Sequence, residues 1–148
     1  MAAAARRKAR RKRSSGARLF KFDRSLGHRY VAGADEAGRG CLAGPLVAAA
    51  VLFDLEALSL RDLRLLTALN DSKQHSAEMR EDLYPKVMRV AAKVAVTSRC
   101  VRGIDERGLH KTNLAALSDT LRRVGRPGVL CLSDGFPCLL YTSDAADE

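Results

Sequence analysis

The stretch Gly33–Val51, GADEAGRGCLAGPLVAAAV, places a glycine-rich break between two apolar runs. Upstream, HRYVAGAD (His28–Asp35) reads as a strand ending at Asp35. EAGRGCLAG (Glu36–Gly44) is too rich in glycine to continue it and reads as a loop. PLVAAAVLF (Pro45–Phe53) is an unbroken apolar run of strand length, with Pro45 at the one position where a missing N–H does least harm. Two strands thus meet at a loop carrying adjacent carboxylates, Asp35 and Glu36, and an arginine, Arg39, between two glycines.

Working outward, residues 54–70 mix leucine with charge and fit either a helix or a loop. Asn70–Ala91 opens with turn residues. Ser76 then suits an N-cap, Glu78 a first-turn acid, and Met79, Leu83, Val87 and Val90 an apolar helical stripe. Pro85 is expected to kink or interrupt that helix. KVAVTSRCV (Lys93–Val101) reads as a third strand. HKTNLAALSDTLRRVG (His110–Gly125) reads as a helix with Leu114, Leu117, Leu121 and Val124 on one face and Gly125 as its stop. GVLCLSDG (Gly128–Gly135) is a last strand, reaching Asp134. Strands alternate with helices only in the second half, so the fold class is α/β, a mixed sheet flanked by helices rather than a doubly wound one.

The length of 148 residues suits one domain, and 47% hydrophobic residues suffice for a core. No apolar run is long enough to span a bilayer, and no apolar segment marks a secretory leader, so no membrane partner and a cytoplasmic location are expected. Cys41, Cys100, Cys131 and Cys138 form no C-x-x-C pair, which argues against a zinc site or a disulfide framework. The net charge of +9 sits entirely in residues 1–24, which carry ten Lys or Arg and one acid. Its centre, RRKARRKR (Arg6–Arg13), cannot pack, so residues 1–24 are expected to form a disordered basic arm. Such an arm can grip nucleic-acid phosphates, can serve only to solubilise, or, less favoured, can be a transit peptide.

Two carboxylates brought this close repel, and one is driven toward protonation unless a cation lies between them. Hard divalent ions prefer carboxylate oxygens. Ligands of open α/β sheets gather at the carboxyl ends of strands, where Asp35, Glu36 and Asp134 can converge. A metal site there suits phosphodiester hydrolysis, with two ions about 4 Å apart activating water and stabilising the leaving oxygen. Gly38, Arg39 and Gly40 offer close backbone approach and a guanidinium to a polyanion. An exposed acidic turn remains the plainer alternative. Gly38, Gly40 and Gly44 lack the dinucleotide spacing, and no phosphate-binding P-loop occurs.

The same stretch resembles the signature of ribonuclease HII. LNDSKQHS (Leu69–Ser76), GIDERGLHKTNLAAL (Gly103–Leu117) and VLCLSDGF (Val129–Phe136) are similar to further motifs of that family, in the same order. The resemblance implies a ribonuclease-H-like fold with a five-stranded mixed sheet over residues 25–137. It also implies an endonuclease that cuts the RNA strand of RNA–DNA hybrids, including ribonucleotides embedded in duplex DNA, with Mg²⁺ or Mn²⁺. Asp35, Glu36 and Asp134 match the catalytic, metal-binding carboxylates. Gly38, Arg39 and Gly40 match the loop that senses the ribose 2′-hydroxyl, the group that distinguishes RNA from DNA. Ser72 and Lys73 match positions that contact the nucleic-acid backbone. A monomer is expected. Asp105 and Asn113 read as loop and cap positions, and His75 and His110 as solvated.

The family's fourth carboxylate and a sugar-stacking tyrosine belong to motifs beyond Asp134 that are not seen here. CLLYTSDAADE (Cys138–Glu148) does not resemble the family, so a C-terminally truncated domain with an unrelated, artefactual tail is expected, with impaired activity. The competing reading is a non-catalytic RNA-binding module that uses the basic arm.

Overall fold

The computed structural model describes residues 15–41 and 43–133. Four strands form one mixed sheet among these residues: β1 (Tyr30–Ala37), β2 (Leu46–Asp54), β3 (Lys93–Arg99) and β4 (Val129–Ser133), in the order β3-β2-β1-β4. β1 and β3 run antiparallel to β2, while β4 runs parallel to β1. The expected mixed sheet is present. The basic run Arg6–Arg13, Asp134 and the tail Cys138–Glu148 lie outside the described residues.

The sheet sorts its side chains by parity, as a pleated strand must. Ala32, Ala50, Leu52 and Val129 face α5 (Leu109–Val124) and meet Leu121 and Val124. Leu46 and Ala48 meet Ala116 and Leu117 further along the same helix. The Leu117-Leu121-Val124 stripe is thus buried, with Gly125 capping α5 by donating its N–H to the Leu121 carbonyl. Asn113, expected at a cap, lies instead inside α5, fully buried with both amide atoms unpaired. Its helical position follows from α5 beginning four residues earlier, at Leu109.

The opposite face is covered at one end by α1 (Ser15–Ser25), α2 (Leu60–Leu65) and α3 (Ala77–Val90). Here Phe20, Val31, Leu55 and Leu66 form a second core, flanked by Val87 and Val90. Ser59 and Asp62 close a reciprocal capping box that starts α2 within the ambiguous segment. Ser76 caps α3 by accepting from the Met79 N–H, as its sequence suggests. Pro85 does not interrupt α3. Its position is exposed, so a carbonyl deprived of its helical partner there can turn to water. Asp105 lies in α4 (Val101–Arg107), a helix that local sequence did not mark.

The disordered arm expected over residues 1–24 does not extend through its last ten residues. Ser15–Ser25 is helical, and Phe20 stacks edge-on against Phe53, ring centroids 5.5 Å apart. Gly16 donates its N–H to the Thr67 carbonyl, and a Cβ at Gly16 would collide with the Leu66 carbonyl oxygen. Phe20, inside a basic segment, anchors the helix in the core despite its charge, while Leu19 stays exposed. Deleting residues 1–24 is therefore expected to cost about 3–5 kcal/mol more than deleting residues 1–14, the usual loss for a buried phenylalanine. Chemical denaturation of both variants checks this, and equal midpoints would remove α1 from the core.

Candidate active site

β1 carries Asp35 and Glu36 to the end of its pairing with β2. Among the described residues the parallel ladder reaches Ala34 opposite Ser133, and the antiparallel ladder runs through Asp35 opposite Ala49 and Glu36 opposite Ala48 to Ala37 opposite Val47. The strand therefore does not end at Asp35 as expected, because pairing to β2 holds the backbone extended for two more residues. By strand parity the two carboxylates start on opposite faces. They still line one groove, of about 690 Å³.

The groove is lined by Asp35, Glu36, Gly38, Arg39, Gly40, Asp71, Ser72 and Lys73. All the candidate residues except Asp134 are thus brought together, although the two segments lie more than thirty positions apart. Asp35 Oδ1 accepts the Glu36 N–H at 2.8 Å, which fixes its carboxylate beside the backbone. Arg39 Nη1 donates to Glu36 Oε1 at 3.2 Å, so the charge facing Glu36 is supplied by the loop's own guanidinium. Gly38 has φ +90°, and a Cβ there would sit 2.5 Å from the Pro45 carbonyl oxygen. Only glycine lets the loop fold back this tightly onto the start of β2.

Opposite, Ser72, Lys73 and Gln74 form one 3-10 turn. Asp71 caps it by accepting the Lys73 N–H at 3.0 Å. Arg80, from the second turn of α3, grips the turn's far end, donating to the His75 carbonyl at 2.7 Å and the Ser72 carbonyl at 3.4 Å. Sequence reasoning passed over both residues. Asp71 was legible as an Asx-type cap before Ser-Lys, but Arg80 was not, because its partner carbonyls are defined only by the turn. His75, read as solvated, is half-buried, with Nδ1 2.8 Å from the Met79 sulfur and Nε2 buried without a partner.

Asp35 and Glu36 supply hard oxygen donors to one concave site, which fits a Mg²⁺- or Mn²⁺-type ion. Among the described residues, no cluster of three or more His, Cys, Asp or Glu is assembled as a metal site. Cys41 and Cys100 are exposed thiols. No helix among the described residues is long and apolar enough to cross a membrane.

Comparison with known proteins agrees with this geometry. Residues 32–129 match the family model for ribonuclease HII. The chain is 39% identical over 109 residues to ribonuclease HII of Bartonella henselae, covering 74% of this chain and 46% of that protein. It is 43% identical over 112 residues to that of Rhizobium etli, covering 76% and 45%. The fold is similar to the crystal structure of ribonuclease H2 from Pyrococcus horikoshii OT3, with TM-score 0.53 and 31% identity over 62% of this chain and 43% of that one. It is also similar to ribonuclease HII in a complex with PCNA from Archaeoglobus fulgidus, with TM-score 0.53 and 28% identity over 64% and 46%. The chain spans under half the length of these relatives. A matched segment that contains the paired carboxylates, the Gly-Arg-Gly loop and the Ser-Lys turn in one groove leaves a single assignment: the chain belongs to the ribonuclease HII family.

Proposed function

We propose that this chain carries the cutting and substrate-sensing face of an endonuclease that hydrolyses RNA within RNA–DNA hybrids, including ribonucleotides embedded in duplex DNA. The observation that carries the reading is the shared groove of Asp35, Glu36, the Gly38-Arg39-Gly40 loop and the Ser72-Lys73 turn. In this reading Asp35 and Glu36, with Asp134, are the catalytic carboxylates that hold Mg²⁺ or Mn²⁺. The bound ion supplies an activated water and neutralises charge on the leaving oxygen. The backbone of Gly38 and Gly40 approaches the ribose closely enough to meet its 2′-hydroxyl. Arg39 exchanges Glu36 for a phosphate, and Ser72 and Lys73 hold the backbone across the groove. The protein works as a cytoplasmic monomer on its hybrid substrate.

Binding is the readout of choice, because the chain spans under half the length of its relatives. Fluorescence anisotropy in Mg²⁺ should show a duplex with one embedded ribonucleotide bound tighter than the all-DNA duplex. One hydrogen bond to the hydroxyl is worth about 0.5–1.5 kcal/mol, roughly two- to tenfold. Equal affinities would sink the substrate assignment. Loss of all binding on deleting residues 1–14 would favour the basic arm as the binding element instead.

A further inference from the structure

A second groove, of about 480 Å³, lies where the end of β3 meets the junction of α4 and α5. It is lined by Arg99, Glu106, Arg107, Lys111, Thr112 and Ala115. We propose that it is a phosphate-binding groove that holds the backbone of a nucleic-acid duplex away from the carboxylates. This deepens the hybrid-cutting reading and rests on it for the identity of the duplex.

Two of this groove's cations, Arg107 and Lys111, are not used in ion pairs of the fold among the described residues. Its one carboxylate, Glu106, accepts a hydrogen bond at 2.9 Å from Arg102, which is highly exposed and outside the lining. Arg107 and Lys111 make no ion pair among the described residues, and both are exposed. Lys111 lies in the first turn of α5, which contains no acid. The helix dipole disfavours a cation there, so the fold alone gives no reason for it. Arg107 folds back over its own helix, where a Cβ on Gly103 would come within 3.2 Å of Nη2.

Arg99 is held differently. Asp119 accepts from it at 3.2 Å and also from Arg123 and Thr97. Burial pushes the Asp119 carboxyl up, but Arg123, Thr97 and Arg99 together outweigh it and keep it below the ordinary range. A persistent anion behind Arg99 thus fixes a guanidinium at the groove. Three cations on three elements, two of them without an ion pair among the described residues, suit a polyanion.

Placement supports a duplex over a small ion. Arg99 pairs with Leu46 across β3 and β2, and Gly38 packs against Pro45, the residue before Leu46. Both grooves therefore open at the same end of the sheet. The ends of β1 and β3 are two strands apart, roughly 10 Å at the usual strand spacing. A duplex carries a phosphate about every 3.4 Å of rise on each strand, so one bound molecule spans both grooves.

The test uses the full chain with Arg107→Gln, Lys111→Gln and both. Affinity for duplexes with and without one ribonucleotide is measured across salt concentrations. Each substitution should weaken both duplexes to the same extent and reduce the slope of log K against log salt by about 0.9. The preference for the ribonucleotide should not change. In the unaltered chain, bound duplex should protect Lys111 from acetylation, a readout that needs no variant. An unchanged slope in the double variant would overturn the proposal. So would lost ribonucleotide preference, or a groove that bound inorganic phosphate but left Lys111 unprotected by duplex. If the unaltered chain shows no ribonucleotide preference but the slopes fall, the hybrid-cutting reading fails and the phosphate groove stands.

Discussion

Asp35→Asn should abolish the rise in melting temperature that Mn²⁺ gives the unaltered chain. An ion that binds only the folded state stabilises it by RT ln(1 + [L]/Kd), about 2.7 kcal/mol at a hundred times Kd. Asp35 and Glu36 are the anionic donors that β1 presents to the groove. Converting one to an amide keeps its shape and removes its charge. Loss of outer-shell partners alone weakens metal sites about 10–100-fold, so loss of a donor should cost at least about tenfold. Without metal the sign reverses. Asp35 is exposed and its charge adjoins Glu36, so the amide should leave stability unchanged or slightly raised. Thermal melts with and without Mn²⁺, paired with an Mn²⁺ titration followed by electron paramagnetic resonance, separate the two effects. A full Mn²⁺ shift in the variant would remove Asp35 from the metal site.

Gly38→Ala should damage both the fold and binding, whereas Gly40→Ala should damage binding alone. At φ +90° an L-residue pays about 1–2 kcal/mol for the left-handed backbone. The added Cβ would also lie 2.5 Å from the Pro45 carbonyl oxygen, a backbone atom that cannot rotate away. For a chain of this size the backbone penalty alone corresponds to a fall in melting temperature of about 2–8 °C. Moving the loop off β2 also moves Arg39 away from Glu36. Gly40 meets nothing within 4 Å, so alanine there has room in the free protein. If the loop backbone reads the ribose, that same methyl obstructs the substrate and the ribonucleotide preference falls at unchanged melting temperature. Equal melting temperatures for the two variants would refute the strained-turn account of Gly38. Unchanged preference in Gly40→Ala would refute close backbone approach.

Local chemistry was enough for the elements whose signals lie within a few residues. β2, β3 and β4 are apolar runs between breakers, and α3 and the body of α5 declare themselves by cap and stripe. The residues of the site were legible for the same reason, since an acidic pair before Gly-Arg-Gly is unusual chemistry wherever it falls. α1 was missed because the charge of its surroundings argues for solvent, and only contact with Phe53 shows that Phe20 is core. α4 was missed because seven residues with no side-chain cap carry little periodic signal.

Tertiary structure decided how those residues act together. Nothing in the spacing of Asp35 and Lys73 puts them across one groove. That follows from α3 packing on the same face of the sheet as Asp35 and delivering the Asp71-Ser72-Lys73 turn to the end of β1. Nor does alternation along β1 allow Asp35 and Glu36 to share a site. They line one groove because pairing with β2 carries β1 through Glu36 to Ala37, up to the Gly38 turn that folds back onto Pro45. Residue chemistry is a property of composition and near neighbours, and a sequence displays it directly. A shared groove depends on which strands pair and which helices cover them, and those are set by contacts between residues far apart in the chain.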